Sequence, residues 1–151
     1  MNCRSVWCLW LLGWMVGSAS AWGAELTITE AWVRAPVGHQ KSSGVFLNIV
    51  SPVPQLIVGA RADVAERVDL VEMLVADSGP MRPHKVEEIR LVAKEKNYLT
   101  PVTHYLMLAG LRRPLVAGEH IAVVLELEAA GHVRSTATVD AVVKPFYEGN
   151  R

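Results

Sequence analysis

An all-β domain is the fold class this sequence predicts: a β-sandwich or small barrel of seven to eight short strands. Three observations carry the prediction. Short apolar segments recur at regular spacing, and clusters of Pro, Gly, Asp and Ser separate them. Within the segments β-branched residues are dense and apolar positions alternate. No amphipathic stretch has a convincing helical length.

The elements follow in order. Leu26–Val33 alternates, and Ala35-Pro36-Val37-Gly38 turns the chain. Ser43–Val50 (SGVFLNIV) is a strand that stops at Ser51-Pro52 and Pro54, and Gln55–Arg61 is the next. Arg67–Ala76 follows. Its neighbourhood, ADVAERVDLVEML, contains good helix formers, but its β-branched density and the Asp77-Ser78-Gly79-Pro80 turn favour a strand. Lys85–Val92 returns as one strand. Pro101 opens Thr103–Ala109, and Arg112-Arg113-Pro114 and Ala117-Gly118 break the chain. His120–Leu127 and Val133–Val143 pair across Ala129-Ala130-Gly131-His132.

The N-terminus reads as a targeting segment. Arg4 is the only charge before Glu25, and an apolar run, Val6–Val16, leads into small residues. Ala19-Ser20-Ala21 fits a signal-peptidase site, which makes 1–21 a signal peptide and 22–151 the mature domain, beginning at Trp22. Cleavage after Ala24 is a weaker site, and the alternative is an uncleaved membrane anchor. A periplasmic location follows from export. Cys3 and Cys8 both lie in this segment, so the mature domain has neither a disulfide nor a thiolate metal site. Any soft-metal chemistry then falls to Met and His.

Formal net charge is zero, with 15 basic and 15 acidic residues, and no basic stripe is present to bind nucleic acid. There is no G-x-S-x-G elbow, phosphate-binding glycine loop or H-E-x-x-H zinc motif, so no enzyme is expected. Glu66, Asp69, Glu72, Glu87, Glu88 and Glu95 are scattered, as on a solvated sheet face.

Four pieces in order and spacing carry a family resemblance: ITEAWVRAP, HQKSSGVFLNI, VDLVEM and PVTHYLMLAGLRRPLVAGEHI. Together they resemble the PCu(A)C family of periplasmic copper chaperones over nearly the whole mature chain. The resemblance implies a cupredoxin-like β-sandwich that carries Cu(I) to a membrane oxidase subunit or another cuproprotein. The family's ligands are His and Met, soft donors suited to Cu(I). Laid ungapped on this chain, the motif gives Val71 for the first His, Glu72 for its companion Met, Pro83 for the second Met and Tyr105 for the second His. Only Met107 keeps the family's residue. Met81, His84 and His104 lie within two residues of lost positions and, with Met107, form the candidate substitute site. His104 has the wrong parity to share a face with Met107 unless a β-bulge intervenes. Met73 alternates with Val71 and Val75 and reads as packing, while His84 sits among cations. The competing expectation is a degenerate homologue that binds no metal, with Val71 and Tyr105 filling the former site as a protein-interaction surface.

Overall fold

A computed structural model describes residues 26–75 and 79–145. The expected leader with both cysteines lies outside the described residues, as do Asp77 and Ser78 of the hairpin turn. Among the described residues the chain forms ten strands: β1 (Thr27–Arg34), β2 (Ser42–Val50), β3 (Gln55–Arg61), β4 (Ala65–Leu74), β5 (Arg82–Val86), β6 (Ile89–Leu91), β7 (Lys96–Leu99), β8 (His104–Leu111), β9 (His120–Ala129) and β10 (Val133–Lys144). The helix formers of β4 are overridden by pairing, since that strand is hydrogen-bonded to β8 on one side and β5 on the other.

Seven strands close a ring in the order β4-β8-β2-β1-β10-β9-β3, and β3 returns to β4 through the Ala60–Val68 pair. The short strands β5, β6 and β7 are additions: β5 borders β4, β6 borders the first half of β3, and β7 lies between β2 and β8. Strands β1 and β10, the first and last, pair in parallel.

Two differences from the sequence reading have physical causes. Lys85–Val92 divides into β5 and β6, which join different strands. The apolar alternation changes phase between Val86 and Ile89, so the two halves cannot serve one face. Strand β7 was not expected, because Leu99 is its only fully buried residue and four residues show no period.

The ring's interior is built by alternation. Ile121, Val123, Leu125 and Leu127 of β9 point inward beside Val139, Ala141 and Val143 of β10. Val45, Leu47 and Ile49 of β2 and Leu70, Leu106 and Leu108 of β4 and β8 complete this core. Each such Val, Leu or Ile side chain contributes about 1.5–3 kcal/mol when fully removed from water. With β4 and β8 anchored this way, their alternate residues must point outward.

Candidate functional site

Strands β4 and β8 carry three of the four aligned ligand positions. Val71 lies directly opposite Tyr105, Asp69 opposite Met107, and Met73 opposite Pro83 on β5. Directly opposed residues share a face, so Val71, Pro83, Tyr105 and Met107 all occupy the outer face of the ring. A pocket of about 360 Å³ opens there, lined by Met73, Pro83, Tyr105, Met107, Phe46 and Arg34 among others. The β1–β2 turn segment, with Pro36 and Gln40, forms its far wall.

An aromatic row makes the pocket's floor. A bulge in β1 between Thr29 and Trp32 shifts the register by one residue, so that Trp32 faces Phe46. Glu30 in the bulge has φ 53° and accepts a hydrogen bond from the Asn48 side chain. The Trp32 and Phe46 rings are 4.5 Å apart by centroid, and Phe46 lies 5.7 Å from Tyr105. The Arg34 guanidinium sits 5.4 Å from the Phe46 ring centre. Val71, only 2% exposed, is sealed at the position that the motif gives to the first histidine.

The charges around the pocket do not favour a cation. Burial raises the Tyr105 phenol above its ordinary value, with Arg34 opposing the shift, so the phenol stays neutral at physiological pH. Asp69 is buried beside Met107 but already engaged. Lys85 Nζ donates to Oδ1 at 2.6 Å and Arg67 Nε to Oδ2 at 3.1 Å. These bonds hold the Asp69 carboxyl below the usual carboxylate range, against the opposing effect of burial. Asp69 is therefore not the solvated sheet-face residue that the sequence suggested.

The four candidate ligands do not meet on one face. Met107 lines the pocket. Strand β8 pairs residue for residue with β4 from Met107 to His104, with no bulge, so His104 points to the opposite face. There its Nε2 lies 3.5 Å from Glu72 Oε1. His84 is also opposite Glu72, on that same second face. Met81 precedes β5 and is 38% exposed. Met73 shares the pocket with Met107 but is offset from it along the sheet. Its N–H bonds the carbonyl of Thr103, the residue just before β8 and four residues from Met107, a backbone offset of about 13 Å at about 3.3 Å per residue. Among the described residues, no three His, Cys, Asp or Glu side chains surround a common point. The outer pocket therefore offers separated thioethers, a neutral phenol and an arginine, which do not fit Cu(I) held by this chain alone.

Sequence reasoning passed over Trp32, Arg34 and Phe46. The signal was present in β2, where Phe46 alternates out of phase with Val45, Leu47 and Ile49, but its partner Trp32 is set by a bulge.

Comparison with known proteins places this geometry. The family model described as "Putative lipoprotein LpqE-like" matches residues 26–139. The chain belongs to the LpqE-like family. The "Putative lipoprotein Lxx21020" of Leifsonia xyli subsp. xyli (strain CTCB07) is 26% identical over 123 residues, covering 82% of this chain and 72% of that protein. The fold is that of PCuAC domains. The copper-bound PCuAC domain from PmoF2 superposes with a TM-score of 0.62 at 19% identity, covering 80% of this chain and 92% of that one. The solution structure of Cu(I)-DR1885 from Deinococcus radiodurans gives a TM-score of 0.62 at 25% identity, covering 87% of each chain. This LpqE-like chain thus has the fold of copper-binding PCuAC domains.

Proposed function

We propose that this protein is an exported, non-enzymatic binding protein that keeps the copper-chaperone fold and uses its outer pocket to seat an apolar or aromatic side chain of a protein partner. The observation that carries this reading is the replacement of the ligand cluster by packing. Val71 is sealed opposite Tyr105, and Tyr105 continues the Phe46–Trp32 row. Half-open aromatic surface with an arginine at its edge is the composition of a protein contact. Export to the periplasm is supported by the leader-like residues 1–21 and by the lipoprotein description of the family.

A second reading has its own support. The fold is shared with copper-bound domains, and Met107 sits in an open pocket. On this reading Cu(I) is cargo, delivered to a membrane oxidase subunit or another cuproprotein through Met107 with His104, Met81 and His84, or with ligands supplied by the acceptor.

A Cu(I) competition titration of the exported protein against a chromogenic chelator separates the two. The packing reading expects no tight one-to-one binding by the native chain. It also expects a gain of binding in the triple variant Val71→His, Pro83→Met, Tyr105→His, which returns family donors to the positions around Met107. Tight binding by the native chain that is lost in Met107→Ala would overturn it in favour of copper carriage.

A further inference from the structure

Two hollows adjoin on the outer face, one on each side of the Phe46 ring. The pocket of about 360 Å³ holds Tyr105 and Met107. A second hollow of about 300 Å³ lies towards Trp32, Asn48 and Tyr98. Phe46 and Pro101 border both. The row Trp32–Phe46–Tyr105 links the hollows, and its centroid distances of 4.5 and 5.7 Å give a span of at most about 10 Å, close to the roughly 9 Å that three residues of polyproline II advance. The row's surroundings are cationic. The Arg34 guanidinium lies 5.4 Å from the Phe46 ring centre, the Lys144 ammonium 5.8 Å from that of Trp32, and the Lys96 ammonium 5.4 Å from that of Tyr98. Among the described residues lining either hollow, Glu30 is the only acid, and Asn48 and Lys96 already engage it. Among the described residues, no protein group bonds the Trp32 indole N–H or the Tyr105 hydroxyl, so both are donors for an incoming carbonyl.

We infer that the outer face binds an extended, acidic, proline-bearing segment of a protein partner in the polyproline II conformation. This rests on the docking reading of the pocket and names the partner's chemistry. Three features fit that occupant. Polyproline II presents residues three apart on one face, about 9 Å from each other, which matches the two ends of the aromatic row. A proline at each end then meets Trp32 and Tyr105, with the Phe46 ring as the floor between them. The backbone of such a segment makes no internal hydrogen bonds, so its carbonyls are open to the indole N–H and the hydroxyl at those ends. Aromatic-lined grooves hold proline-rich segments in this way, and a segment that is already extended loses little entropy on docking. The cations set the charge. Carboxylates between the prolines face Arg34, Lys144 and Lys96, whereas a basic segment meets like charge. Glu30 opposes an acidic ligand, but its charge is offset by Lys96 at 3.8 Å.

The test is a titration of the isotope-labelled, exported protein with short synthetic peptides built on the repeats Pro-Pro-Glu, Pro-Pro-Lys and Ala-Phe-Glu, followed by amide and indole chemical shifts. The Pro-Pro-Glu peptide should bind saturably at residues lining both hollows, at least about tenfold more tightly than the Pro-Pro-Lys peptide. Tyr105→Ala should weaken it by at least about tenfold. A folding defect could imitate that loss, so the double variant Lys96→Glu, Lys144→Glu at exposed positions is the second arm. It should transfer the preference to the Pro-Pro-Lys peptide, which damage to the fold would not do. Equal binding of the two proline peptides, shifts confined to other parts of the molecule, or no binding of Pro-Pro-Glu would overturn the assignment. Binding of the Ala-Phe-Glu peptide alone would overturn it while leaving the docking reading in place, whereas tight Cu(I) binding lost in Met107→Ala removes the docking reading itself. Outer-face shifts in the peptide-free protein that follow its concentration, or that appear on removal of residues 146–151, would make a second copy or the chain's own end the occupant and overturn the partner assignment.

Discussion

Gly44 determines where the Phe46 ring can lie. It sits opposite Met107 at the centre of the outer face, and a Cβ there would come within 2.5 Å of Phe46 Cζ. With hydrogen in that place the ring lies over the backbone and bridges Trp32 to Tyr105. Aromatic pairs of this kind contribute about 0.5–1.5 kcal/mol beyond their buried area. Gly44→Ala should therefore displace the ring, shift Trp32 fluorescence and lower stability by about 1–3 kcal/mol in urea denaturation. An unchanged emission spectrum would show that the ring has room to spare. Val71 and Tyr105 belong to the same scale. Two side chains that cannot ligate Cu(I) well stand at two aligned histidine positions, and no neighbouring residue on that face restores what they remove.

Strand β4 is the element on which both faces depend. Its odd residues Asp69, Val71 and Met73 build the outer face, while Leu70 enters the core and Glu72 reaches the rim. Asp69 ties the strand to its neighbour β5 through Lys85. Because its folded-state pKa lies below the ordinary carboxylate value, the unfolded chain takes up the proton first. The bonds then contribute fully above the ordinary carboxylate range and are lost as pH falls through the depressed value. Asp69→Asn should lower stability at neutral pH by about 1–3 kcal/mol and flatten its fall as pH drops below the ordinary carboxylate range, as read by urea midpoints across an acid series. Parallel pH profiles for variant and native protein would remove Asp69 from the account of acid stability. At the edge of the sheet, β5 carries Arg82, Pro83 and Lys85, and charge and proline there discourage pairing with another chain.

At the scale of the whole molecule, the ring closes around one core, and the outer pocket is a consequence of that closure. Leu106 is fully buried and lies between Tyr105 and Met107 in sequence. Leu106→Ala should cost about 2–5 kcal/mol, measured by chemical denaturation. A loss well below that would mean the core can collapse around the gap. Closure also joins the first strand to the last, β1 to β10, and pairs β3 with β9 across the chain. Contacts of such sequence separation are slow to form, so refolding is expected on the millisecond-to-second scale by stopped-flow fluorescence. Microsecond refolding would contradict this topology.

The sequence by itself determined the all-β class and the main strands, and named the positions at which residues of the resembled family's ligand motif are replaced. Those properties depend on residues close along the chain: alternation of period two, turn residues, and the identity of side chains at spaced positions. Only the tertiary structure decided which candidates meet. Whether His104 joins Met107 or Glu72 depends on the pairing of β8 with β4, and whether His84 joins them depends on where β5 attaches. The same holds for the partnership of Trp32 with Phe46, which a single bulge residue creates. The face a strand residue occupies reverses with a one-residue change in register. Register is fixed by contacts between strands, and for that reason the sequence could name Tyr105, Met107 and the histidines without showing which of them share a face.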